Sequence, residues 1–199
     1  MKQVRLFFSV LFFALLIISC KSDSKETNGE ATSTETNDNS TSTVPKEAEQ
    51  VVNSVFRKAM TTPELKTFVS ATISAGLTDE LMKNEGPFTL LAPSNDAFEQ
   101  VPKEKMDVLL NPKNLPDLKR LLENHIVAEN LSSAAILQAI KQNGTAEIKT
   151  MGGATLTAFM QDNDLVLKDA SDNIAYIGKS DINGSNGTVH VIGKVLSLD

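Results

Sequence analysis

A chain of 199 residues with net charge −6, from 19 Lys plus Arg against 25 Asp plus Glu, offers no basic face for nucleic acid phosphates. A single cysteine excludes a disulfide within the chain, and two histidines without a paired motif are too few for a His-rich metal site. One tyrosine and no tryptophan weaken a sugar-binding platform built on aromatic stacking.

In chain order, Lys2 and Arg5 precede residues 6–18, which are apolar except for Ser9. The run is too short to span a bilayer. With its basic start and small closing residues it reads as an export signal, so residues 1–19 are set aside from fold reasoning. Its end, "LIISC", resembles the bacterial lipobox, in which a signal peptidase cuts before a cysteine whose thiol and new amino group carry acyl chains. Cys20 is that residue, and acylation explains an odd cysteine in an exported chain. One acyl chain binds a membrane marginally, but several, at about 0.8 kcal/mol per buried CH₂, hold it firmly. The rest of residues 20–45 is dominated by Ser, Thr, Asn, Glu and Asp, a composition expected to be disordered. As a flexible stalk it spans roughly 25 to 30 Å. The resemblance implies a bacterial outer membrane lipoprotein facing the periplasm or the cell surface. Lys21 in place of Asp after the cysteine argues against inner-membrane retention, and Asp23 and Glu26 loosely resemble surface-export signals.

Residues 46–199 suit one domain with its own core. "TTPELKTFVSATISAG" places Leu65, Phe68, Val69 and Ile73 near helical spacing, with Thr62 as N-cap, Pro63 at the first helical position and Gly76 as the stop. A helix-prone stretch over residues 103–110 ends at Pro112, and "NLPDLKRLLENHIV" then puts Leu115, Leu118, Leu121 and Leu122 on one side. Beyond Gly144 the pattern alternates: "AEIKTM", "ATLTAF" and "DLVLKD" read as antiparallel strands. "NIAYIG" and "TVHVIGKVLSL" add at least two more around the turn "NGSNG". The class is α+β, with helices in the first half and a sheet in the second.

Between the first helix and the second lies "FTLLAPSNDAF". Phe88 begins a strand that ends at Pro93, which lacks a ladder donor. Ser94 follows as an N-cap for the N–H of Asp96 or Ala97, Asp96 lies near the positive helix end, and Phe98 folds back onto the core that Phe88 enters. Ser94, Asp96 and His125 could converge as a triad, since chain order does not forbid it. A nucleophile elbow, however, needs Gly-x-Ser-x-Gly, and no oxyanion hole is visible. The corner therefore reads as structural.

"FTLLAPSNDAF" resembles the first signature of the fasciclin domain, an extracellular adhesion module. "LLENHIV" resembles that family's central Leu-Leu-x-x-His segment, and "NGTVHVIGKVL", with His190, its closing signature. The three fall in family order and cover nearly all of residues 46–199. The resemblance implies a wedge of about seven β-strands packed with several α-helices. It also implies adhesion or matrix binding without catalysis or a cofactor. Asn124 stands where many members have Tyr before the central histidine, Gly193 where the closing signature commonly has Asp, and Asp181 and Ile182 match an Asp-Ile pair of adhesive animal members. Asn124, His125, Asp181 and Ile182 are thus the candidate ligand contacts. Each histidine otherwise reads as satisfying hydrogen bonds at the core edge. The expected function is a membrane-tethered, non-catalytic module for a glycan, matrix polymer or surface protein. The alternative is a periplasmic enzyme or accessory protein acting on cell-wall or polysaccharide material.

Overall fold

Short helices punctuated by caps begin the structure, a computed structural model that describes residues 46–196. The expectations for the export signal, Cys20 and the stalk lie outside the described residues. Helix α1 (Lys46–Asn53) breaks at Ser54, whose hydroxyl accepts from Arg57 N at 3.3 Å and starts α2 (Val55–Met60). Pro63 opens a 3₁₀ turn that runs into α3 (Lys66–Ser74), and α4 (Thr78–Lys83) follows. Thr62 does not cap this turn, because its hydroxyl donates back to Lys58 O at 2.9 Å. After β1 (Phe88–Pro93) come α5 (Asn95–Glu99), α6 (Lys103–Leu109), α7 (Leu115–Glu123), β2 (Ile126–Val127) and α8 (Ser133–Asn143). Strands β3 (Ala146–Lys149), β4 (Thr155–Gln161), β5 (Asp164–Lys168), β6 (Ile174–Tyr176), β7 (Ile182–Gly184) and β8 (Gly187–Ile192) complete the order.

The architecture is α+β, with eight α-helices and eight strands among the described residues. The strands form two four-stranded sheets, β2-β1-β8-β7 and β3-β4-β5-β6, where the sequence suggests one. The second is an antiparallel meander, as its alternation requires. In the first, β8 lies between β7 and β1 and pairs parallel with β1, from Phe88↔Gly187 to Pro93↔Ile192. Every residue of β1 is buried, so its "FTLLAP" run is nearly continuous in apolar character instead of alternating.

The β1–β8 sheet is the wall between two cores. Phe88, Leu90, Ala92, Val189 and Val191 face a helical core with Phe56, Leu65, Phe68, Leu81, Phe98 and Leu122. Leu91, Val127 and Ile192 face a second core with Ile136, Ile148, Leu156, Leu167 and Leu196. Each large side chain fully removed from water in this way contributes about 1.5–3 kcal/mol. The described residues fall within one compact unit that contains both cores, so this unit has what it needs to fold by itself. Gly187 is indispensable to the wall: its φ is +144°, and a Cβ there would lie 1.8 Å from Phe88 O.

Two apolar positions depart from the expected stripes. Ile73 is 53% exposed and Leu115 40%. In α3 the buried face is made by Phe68, Val69, Ala71 and Thr72, whose hydroxyl donates to Phe68 O at 2.8 Å, and Ile73 falls outside that face. Leu115 is the first residue of α7, before the helix meets the core through Leu118, Leu121 and Leu122.

Candidate functional site

Strand β1 delivers Ser94 to the start of α5 with extended backbone, φ −66° and ψ 166°. Its N–H donates to Ile192 O at 3.0 Å, and its hydroxyl oxygen accepts from Ala97 N at 3.1 Å. Asn95 reaches the other way. Its Oδ1 accepts from Thr67 N at 3.0 Å and Thr67 Oγ1 at 3.1 Å, while its Nδ2 donates to Pro63 O at 3.1 Å. Ser94 and Asn95 therefore satisfy the free N–H groups of two different helices, α5 and α3. Asp96 is exposed in the first turn of α5, where its charge favours the helix, and Phe88 and Phe98 share the helical core. Ser94→Ala is expected to cost about 1 kcal/mol and Ser94→Thr close to nothing, read from urea midpoints at unchanged slope.

Both imidazoles are buried and saturated by backbone. Leu196 N donates to His125 Nε2 at 3.0 Å, so that nitrogen carries no proton and Nδ1 donates to Leu121 O at 2.8 Å. Burial holds this ring down, with a pKa of about 4, against the opposing pull of the Leu121 carbonyl and the Asp169 charge. At His190, Asp181 N donates to Nδ1 at 3.3 Å, and Nε2 donates to Leu131 O at 2.7 Å. Neither ring has a nitrogen left to take a proton from a nucleophile.

The four candidate ligand contacts separate into two places. Asn124 and His125 are 3% and 1% exposed. Burial keeps both from a surface ligand, which corrects their place among the contacts. Asn124 Oδ1 accepts from Thr150 Oγ1 at 3.2 Å and lies where a side chain on Gly152 would be, locking α7 to the turn between β3 and β4. Asp181 and Ile182 are half-buried at the start of β7. The Asp181 carboxylate accepts from Ser133 N at 2.9 Å and from the Ser133 hydroxyl, at the N-terminus of α8. Burial acts to raise its pKa, but the Ser133 bonds and the nearby His190 outweigh it and hold the carboxyl below its usual range. Ile182 packs onto the helical core. Ser133, Asp181 and His190 are neighbours without being a triad, because Asp181 meets the ring through its main chain.

Two features were not legible beforehand. Asn186, inside what reads as a simple turn, is 3% exposed. Its Oδ1 accepts from Val55 N at 2.8 Å, and its Nδ2 donates to Leu81 O at 3.0 Å and Asn84 O at 2.9 Å. The other is a cleft of about 180 Å³ where α5, α6 and α7 meet the segment after β8, with Lys105 and Lys194 among its lining residues. A larger hollow of about 350 Å³ lies between α8 and β3, with Glu129, Glu147 and Lys149 in its lining.

The family model described as "Fasciclin domain" matches residues 63–198. Protein sll1483 of Synechocystis sp. is 34% identical over 130 residues, covering 65% of this chain and 65% of that protein. Transforming growth factor-beta-induced protein ig-h3 of Sus scrofa is 31% identical over 135 residues, 67% of this chain but 18% of its own length. The match therefore spans less than two thirds of either relative. Among solved structures, a FAS1 domain pair from the insect cell adhesion molecule fasciclin I shares the fold, with a TM-score of 0.52 and 20% identity over 67% of this chain and 45% of that one. With three signature segments in order, two sheets joined by a parallel β1–β8 pair and a family match over most of its length, the chain belongs to the fasciclin domain family.

Proposed function

We propose that the chain is a lipid-anchored, extracytoplasmic binding module, non-catalytic, that presents its fasciclin domain to a glycan, a matrix polymer or a surface protein from a bacterial outer membrane. The observation that carries this reading is the occupation of the would-be catalytic groups. The Ser94 hydroxyl caps α5, and all four imidazole nitrogens of His125 and His190 are bonded to backbone. A polar group held in a cap or a buried backbone bond serves the fold, not a reaction. Family membership supports the same reading, and a solved structure that shares this fold comes from a cell adhesion molecule.

The anchor rests on Cys20 and the apolar run before it. No helix among the described residues is long and apolar enough to cross a membrane. Acyl chains on Cys20 supply the attachment, and the polar residues that follow supply reach. Cys20→Ala is expected to move the protein from the membrane to the soluble fraction, with the circular dichroism of the domain unchanged. Membrane retention of that variant would overturn the anchor. Binding without turnover is checked by incubating residues 42–199 with glycans, peptidoglycan and whole cells. Conversion of any retained material, lost in Ser94→Ala beyond its loss of stability, would overturn the non-catalytic reading.

A further inference from the structure

We infer that the cleft between α5, α6, α7 and the segment after β8 is a binding site for a small aliphatic carboxylate. Its size sets the class. At about 180 Å³ it falls below the ~300–1,000 Å³ typical of pockets for drug-sized ligands, so it admits a short tail and not a ring system or a polymer. The apolar part is made by Ala97, Val101, Leu109, Leu121, Val195 and Leu196, side chains that favour a hydrocarbon.

The charge sets the head group. Among the described residues that line the cleft, the two charged ones, Lys105 and Lys194, are both cations and none is a carboxylate, although the chain carries an acidic excess. Neither lysine has an ion-pair partner among the described residues. An anionic head bonded to them would leave the tail on the leucines. The larger hollow beside α8 lacks this match, because two glutamates share its lining with one lysine.

The walls are held in place before any ligand arrives. His125 joins two of them through one buried ring, donating to Leu121 O at 2.8 Å and accepting from Leu196 N at 3.0 Å. Gln100 Nε2 donates to Asp96 O at 3.2 Å and to Gly193 O at 3.3 Å, tying α5 to the residue before Lys194. A site ordered in advance loses less entropy on binding. His125 is thus a positioning residue behind the cleft, which accounts for a central imidazole that reaches no surface.

The test is titration of residues 42–199 with octanoate, octanol and acetate, followed by methyl NMR, with no membrane present, so its outcome is independent of the anchor. Octanoate is expected to bind saturably and to shift the methyl signals of Leu109, Leu121 and Leu196. Octanol, lacking the charge, should bind about tenfold more weakly, and so should octanoate to the Lys105→Gln, Lys194→Gln double variant. Acetate, lacking the tail, should leave the leucine signals in place. Val101→Trp should block octanoate by filling the lip. Should that variant fail to fold, the double variant, altered only in its two lysines, decides the matter. Absence of saturable octanoate binding, equal affinity for octanol, or unchanged affinity in the double variant would overturn the assignment.

Discussion

Asn186→Ala is expected to lower the unfolding free energy of residues 42–199 by about 3–5 kcal/mol, among the largest effects of any single substitution in this domain. The side chain satisfies one donor and two acceptors from segments far away in sequence, Val55 N, Leu81 O and Asn84 O. Removing it strands the buried Val55 N–H and Leu81 carbonyl, each costing about 1–3 kcal/mol, and leaves a cavity beside α2. Asn84 is exposed, so water recovers part of that third bond. Asn186→Asp separates hydrogen bonding from packing. It keeps an acceptor for Val55 N but turns a carboxylate oxygen toward two carbonyls, so its loss should match or exceed that of alanine. Urea unfolding would show a lower midpoint at unchanged slope, and a loss under about 1 kcal/mol in both variants would refute the clamp.

The second expectation concerns acid. His125 titrates near its ordinary 6.5 in the unfolded chain and at about 4 in the folded one. Between those values the unfolded chain holds a proton that the folded domain refuses, so stability falls as pH falls through this window. The contribution is fully present above pH 6.5 and fully lost below about pH 4. It amounts to about 3 kcal/mol, from ~1.4 kcal/mol per pH unit. The main cause is burial of the ring, which penalises its charged form, and a protonated Nε2 would in addition point a donor at the Leu196 N–H, which is itself a donor. His125→Gln lacks the proton and should flatten the dependence by close to one proton across the window. Unfolding free energies of both proteins at pH 7, 6, 5 and 4 test this, the remaining carboxylates being common to both. Equal slopes would remove His125 as the cause.

These expectations differ in how far they could be reached without coordinates. The Ser94 cap is a local event: an oxygen bonds an N–H three residues on, so "PSND" after an apolar run announces it. The antiparallel meander of β3 to β6 was visible for the same reason, since alternation and tight turns act over a few residues. Helix α8 carried readable ends as well, Ser132 capping Ala135 N and Gly144 at φ +83°.

Other features depend on what meets what. Asn186 resembles an ordinary turn asparagine until α2 and α4 are seen to end against it. Asn124 and His125 suggest a contact surface until the sheet and the terminal segment bury them. The cleft exists only because Lys194, Val195 and Leu196 return beside Lys105 on α6. By itself the sequence determined the α+β class, the capped corner and the family, because caps, periodicity and short signatures are properties of neighbouring residues. Tertiary structure alone decided the parallel β1–β8 wall, the burial of the central histidine and the lysine-rimmed cleft, because each arises from segments distant along the chain, and their pairing is selected by the packing of the whole domain.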